Sequence, residues 1–139
     1  MILLDTNVIS EPLRVAPDAR LVEWIDAQPI ETLYLSAITV AELRVGITKM
    51  PAGKNRDRLR ARIETEVLPR FSGRVLAFDL AASQPYADLM AKARAAGVVI
   101  GNYDGCIAAI ATANGMMVAT RDTTPFKAAG VSIIDPWQA

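Results

Sequence analysis

Four acidic residues stand where carboxylate chemistry could be done. Asp5 sits in Leu-Leu-Asp-Thr-Asn, Glu42 six residues past Ser36, Asp104 in Tyr-Asp-Gly-Cys, and Asp122 after Val-Ala-Thr-Arg. The chain has no histidine. Ser-His-Asp and Cys-His hydrolases, zinc sites built on histidine and histidine general bases are therefore excluded. Carboxylates without imidazole can hold a hard divalent cation through oxygen alone, which suits Mg²⁺ or Mn²⁺ and not structural zinc. Such an ion lowers the pKa of a bound water, orients it in line with a leaving oxygen and absorbs charge on a phosphoryl group. One ion can do this; two ions about 4 Å apart would serve both ends of the displacement. A carboxylate not fully engaged in ligation can take the water's proton. Thr6, Asn7, Ser36 and Thr120 are the nearest hydroxyl or amide candidates to hold water or substrate, and Arg121 and Arg44 are candidate phosphate contacts.

The elements between these residues say how they could meet. Short apolar runs at Ile2–Leu4, Leu33–Ser36, Val75–Phe78 and Met116–Thr120, with a fifth at Val131–Ile134, have strand length. Helical periods lie between them: Leu21, Trp24 and Ile25; Val40, Leu43 and Ile47; Leu59, Ile63 and Val67; Leu80 through Ala96; and Ile107, Ile110 and Ala111, closed by Gly115. Pro85 places the true start of the Leu80–Ala96 helix near residue 83. Thr124-Pro125 marks the cap and first position of a last helix ending at Gly130. Alternating strands and helices predict an α/β three-layer sandwich around a central, mostly parallel sheet of roughly five strands. In open α/β sheets the site lies outside the carboxyl ends of the strands. Asp5 and Asp122 follow strands directly, Glu42 is placed in the first turn of the next helix, and Asp104 opens the helix before the fourth strand, so all four can reach one rim.

Each acid also has a purely structural use. Thr39-x-x-Glu42 matches a capping box, Asp104 suits a first-turn acid, Asp5-Thr6-Asn7 suits an Asx cap, and Asp122 a turn. Caps at four unrelated places do not need to share an edge, and like charges crowded there are costly unless a cation relieves them. Asp79, also after a strand, reads as the N-cap of the long helix that follows.

Composition bounds the rest. The 139 residues predict one domain, 1–139; 52% are hydrophobic and 22% charged, enough for a core and too little charge for disorder. Fifteen basic and fifteen acidic residues give zero net charge, against a surface wholly given to nucleic acid. Locally, Lys49–Arg74 holds eight basic residues against three acidic, an excess of five. Helix pairs such as Arg60–Glu64 and Arg62–Glu66 account for part of that stretch, and a phosphate-backbone contact is the alternative. The single cysteine, Cys106, can form no internal disulfide, the charge at Asp5 precedes any secretory segment, and no apolar run approaches the ~20 residues of a membrane helix. A cytoplasmic protein is expected. No dinucleotide fingerprint follows a strand, and Gly53-Lys54 runs into Asn55 without the glycine of a phosphate loop.

The chain resembles the PIN-domain ribonucleases, within them the VapC-type toxins of bacterial toxin–antitoxin pairs, and most closely the FitB-like branch. The resemblance rests on residues Met1–Arg14, Leu35–Arg44 with Gly46, Gly73–Asp79, Asp104–Ala111, Val118–Asp122 and Pro136-Trp137, in that order over nearly the full length. It implies a PIN-like fold and places the family's acidic quartet at Asp5, Glu42, Asp104 and Asp122. It further implies Mg²⁺- or Mn²⁺-dependent hydrolysis of RNA phosphodiesters, a homodimer, and inhibition by a cognate antitoxin of ribbon-helix-helix type, with promoter DNA bound only through the antitoxin complex. Many relatives have Asn where Asp122 stands and an aspartate three residues later; here that later residue is Pro125, so the fourth acid is Asp122 or none. Gly101 stands where relatives often carry a proline shortly before the third acid. The competing class is a non-catalytic α/β partner-binding or receiver-like module with an acidic metal-binding rim. A receiver-like site needs a lysine at that rim, and Arg121 stands at the strand end instead.

Overall fold

The computed structural model describes residues Met1–Ala139. Five strands, β1 (Ile2–Leu4), β2 (Leu33–Ser36), β3 (Val75–Leu76), β4 (Met117–Ala119) and β5 (Ile133–Ile134), form one sheet in the order β3-β2-β1-β4-β5. Every neighbouring pair is parallel. The helices are α1 (Thr6–Ser10), α2 (Ala19–Ala27), α3 (Ala37–Thr48), α4 (Lys54–Arg62), α5 (Leu68–Arg70), α6 (Leu80–Ala95), α7 (Asn102–Ala113) and α8 (Thr123–Ala128).

Successive strand residues face opposite sides of a sheet, and here both sides are covered. Leu3 and Val118, paired in register, enter a core with Leu89, Ile107, Ile110 and Phe126 from α6, α7 and α8. Leu4 and Ala119, the next pair, enter the opposite core with Val8, Leu21, Leu43 and Ile63. That two-sided burial is why the strands read as continuous apolar runs. Parallel pairing also puts all carboxyl ends on one rim. The chain runs outward from β1 to β2 and β3, then returns through α6 and α7 to β4 on the other side of β1. The reversal between β1 and β4 is the topological switch point, where such sheets open a crevice.

Several expected boundaries move. β3 stops at Leu76, and Phe78 leaves the sheet to meet Tyr86 edge-on at 5.8 Å. The runs Met116–Thr120 and Val131–Ile134 contribute only the residues that find a partner strand. α6 starts at Leu80, with Pro85 inside it, because Asp79 caps it by accepting from Ala82 N at 3.1 Å. Pro85 removes one ladder bond early in the helix without stopping it. α8 is entered from Asp122 rather than Thr124, with Pro125 third in its first turn. The cap of α3 is Ser36, whose hydroxyl accepts from Thr39 N at 3.0 Å, so the Thr39–Glu42 capping box does not form and Glu42 falls in the second turn.

The basic stretch folds as α4, a π-helical turn over Ile63–Val67, and α5. The wider turn precedes Pro69, whose ring clashes with a carbonyl four residues back in a regular helix. Leu59, Ile63 and Val67 still share the apolar face that meets the second core. Arg62 pairs with Glu66 as expected, but Glu64 is taken by Arg44 of α3 and Arg60 lies nearest Asp57.

Gly105 sets the approach of α7 to α6. A Cβ there would lie 3.1 Å from the Tyr86 ring and 3.2 Å from Met90 Sδ. The missing side chain lets the two helices close up directly behind Asp104.

Candidate active site

Asp5 is the first residue past β1 and is only 4% exposed. Its backbone N–H extends the sheet by donating to Ala119 O at 2.9 Å. One carboxylate oxygen accepts from Thr6 N at 2.8 Å and caps α1. The other accepts from the Thr120 hydroxyl at 2.8 Å and lies 3.4 Å from Asn7 Nδ2. The cap reading and the site reading of Asp5 thus describe one carboxylate. Burial is the main force on its ionisation and pushes its pKa up to about 6, against the lowering effect of the Thr120 and Thr6 bonds. Repulsion from Asp104 and Glu42 adds to the rise.

The Thr120 hydroxyl also accepts from Asp122 N at 3.0 Å, and Asn7 Oδ1 accepts from Arg121 N at 3.3 Å. The ends of β1 and β4 are therefore tied together by side chains as well as by the ladder. On the opposite flank, the Thr6 hydroxyl donates to Glu42 Oε1 at 2.7 Å and lies 3.1 Å from the Thr39 hydroxyl. Thr39 was not foreseen as part of this network. Its place one helical turn before Glu42, on the same face of α3, was the available signal.

Asp104 is half-buried in the first turn of α7. Its carboxyl is pushed up by burial first, then by Asp122 and Glu42, with no hydrogen bond pulling it back. Asp122 is exposed at the N-cap of α8 and its side chain makes no cap bond. The four acids come from four elements and repel one another, as Asp5 and Asp104 record.

No basic side chain offsets them. The ion pairs are Arg14–Glu11, Arg44–Glu64, Arg60–Asp57 and Arg62–Glu66. Arg44 makes a two-pronged contact with Glu64, at 3.0 and 3.2 Å. Arg121 lies over the Trp137 ring at 5.0 Å. Ser36 is fully buried and spends its hydroxyl on capping α3. An all-oxygen set of this kind suits a hard divalent cation. No three of the acids lie close enough together to form a ready-made metal cluster.

Residues 2–131 match the PIN domain family. The chain belongs to the PIN-domain family. This PIN domain is 64% identical over 138 residues to "VapC ribonuclease Y4jK" of Sinorhizobium fredii, covering 99% of both chains. It is 50% identical to "Toxin FitB" of Neisseria gonorrhoeae, again over 99% of each. Among solved structures it superposes with TM-score 0.95 on a chain of FitAB bound to an IR36 DNA fragment, at 50% identity, covering 99% of this chain and 96% of that one.

Two cavities meet at Glu42 of the PIN domain. One, about 460 Å³, runs from Thr6 and Glu42 across Leu43, Ile47 and Ile63 to Arg58. The other, about 430 Å³, is lined by Glu42, Gly101, Asn102, Tyr103 and Asp104. Gly101 caps α7 with ordinary extended angles, φ −62° and ψ 152°, so its lack of a side chain is not needed for the approach to Asp104.

Proposed function

We propose that residues 1–139 act as one PIN domain, a metal-dependent endoribonuclease that is the toxin of a toxin–antitoxin pair. The observation that carries this reading is the gathering of Asp5, Glu42, Asp104 and Asp122 at the carboxyl-end rim of the sheet, with no ion pair from any basic side chain to the four. The likeness to a VapC ribonuclease supports it. The four acids would hold Mg²⁺ or Mn²⁺, as one ion or two. Such an ion, when bound, supplies an acidified water and neutralises charge on the phosphoryl group.

The chain's own contribution is positioning. Thr6 N and the Thr120 hydroxyl fix both oxygens of Asp5, the Thr6 hydroxyl aims Glu42, and the close packing at Gly105 supports Asp104. Asn7 and Thr120 hold the β4 end, and with it Asp122, beside Asp5. A carboxylate of the quartet that is not fully engaged accepts the proton of the attacking water.

The partners follow from the same reading. A cognate antitoxin, of ribbon-helix-helix type, would block the cleft, and promoter DNA would be bound through that antitoxin, as the FitAB–DNA relative suggests. A homodimer is supported by large apolar side chains left outside, Leu80 at 88% and Val99 at 92% exposure. No helix is long and apolar enough to cross a membrane; action on RNA in the cytoplasm is part of the proposal.

The test is RNA cleavage by wild-type protein and Asp5→Ala, purified identically, in Mg²⁺, in Mn²⁺ and in EDTA. Metal-dependent cleavage lost in the variant is the expected result. Equal cleavage by both proteins would mean a contaminating nuclease, and no cleavage of structured or unstructured RNA by either would overturn the reading.

A further inference from the structure

The cavity between Asp104 and Glu42 contains a feature that metal-dependent hydrolysis does not require. Of the three tyrosines, Tyr34 and Tyr86 pack against the core, whereas Tyr103 is 58% exposed and takes no part in either apolar cluster. It precedes Asp104 in the first turn of α7 and lines the same cavity as Asp104 and Glu42, with the exposed Asn102 beside it. At about 430 Å³ the space lies within the usual range of small-ligand sites, ~300–1,000 Å³. Whatever rests on Tyr103 therefore rests in the cleft itself.

The chemistry of the lining selects among occupants. Two carboxylates disfavour a second phosphate or an acidic peptide here. With Asp104 and Glu42 given to the cation, Tyr103 and Asn102 are the side chains left to meet the substrate, and the exposed ring offers a π face. Asn102 adds one amide donor group and one acceptor. An unpaired nucleobase has the matching parts: a flat face, amino groups and a polar edge.

We propose that Tyr103 is the stacking platform for the unpaired base next to the scissile phosphate, with Asn102 placed to read that base's edge. This deepens the ribonuclease reading and rests on it. It requires that this one base be unpaired, because a base inside a duplex cannot be laid on a side chain. Tyr103 is then a positioning residue whose binding contribution is present in ground and transition states alike, so its loss raises KM more than it lowers kcat.

The test uses short single-stranded RNA of mixed sequence in which single adenines are replaced by the fluorescent base 2-aminopurine. Binding is read in Mg²⁺ on Asp5→Asn protein, which the proposed mechanism leaves unable to cut. Fluorescence at one position should be quenched by stacking when residue 103 is Tyr or, in Tyr103→Phe, a plain ring, and should stay bright with Tyr103→Leu. Affinity of the Leu variant should fall roughly 5- to 160-fold. In cleavage assays with Asp5 restored, Tyr103→Leu should raise KM while Tyr103→Phe behaves as wild type. Equal quenching and equal KM in the Leu variant would overturn the proposal and leave the nuclease reading standing. A change of oligomeric state by light scattering in Tyr103→Leu would also overturn it, by showing the ring to be a subunit contact. If wild-type protein neither binds nor cuts any RNA, the ribonuclease reading falls and takes this one with it.

Discussion

Asp5 makes the metal-free protein a sensor of its own ionisation, and the effect can be sized. Burial raises its pKa from 3.8 to about 6. Between those values the folded protein binds more protons than the unfolded chain, so stability falls as pH rises through the window and the loss is complete above the folded pKa. At 1.36 kcal/mol per pKa unit the full loss is about 3 kcal/mol, of which about 2 falls between roughly pH 4.5 and 7.5. Asp5→Asn keeps the acceptor for Thr6 N and removes the titration. Urea unfolding in EDTA should therefore show wild type losing about 2 kcal/mol more than Asp5→Asn across that range. Adding Mg²⁺ at neutral pH should restore wild type and leave the variant less changed. Asp104→Asn should act in the same direction, because it removes both a raised carboxyl of its own and the repulsion it exerts on Asp5. Asp104, raised in the same direction and coupled to Asp5, is present in both proteins; Glu64, held low by Arg44, has the opposite sign and lies below this window. Identical pH dependence in wild type and Asp5→Asn would refute the reasoning.

Two further outcomes follow from local contacts. Thr6→Val removes the 2.7 Å bond to Glu42 without changing side-chain shape. It should weaken Mg²⁺ binding by calorimetry and reduce cleavage, with a stability change of about 1–2 kcal/mol or less, since the freed carboxylate can turn to water. Gly105→Ala forces a methyl to within 3.1 Å of Tyr86 and 3.2 Å of Met90. Thermal melts should show a loss of about 1–3 kcal/mol, as for other overpacked cores, and a stability equal to wild type would mean that α6 and α7 have slack.

How much was legible beforehand depended on the range of the physics. Asp5 and Asp122 could be placed because a parallel sheet with covered faces leaves its carboxyl ends together, and continuous apolar runs announce such a sheet. The cap at Asp79 was legible because it is local. Misplaced features were those in which a local pattern competed with a partner distant in sequence. Thr39-x-x-Glu42 has the form of a capping box, yet Ser36 already occupies the cap and Thr6, 36 residues upstream of Glu42, claims its carboxylate. Glu64 has an arginine four residues away and pairs with Arg44, 20 residues away. The π turn at Ile63–Val67 leaves the apolar spacing nearly unchanged, so periodicity could not reveal it.

The order of the strands has a consequence for when the acidic rim is assembled. β1 and β4 lie side by side in the centre of the sheet, yet the Asp5–Thr120 contact spans 115 residues. A chain still emerging from the ribosome has Asp5 from the start but has neither its Thr120 donor nor Asp122 until most of the protein has been made. Its first strand meanwhile lacks one of its two neighbours. The cleft is thus completed among the last events of synthesis, and a nascent or truncated chain ending before β4 carries three of the four acids without the frame that gathers them.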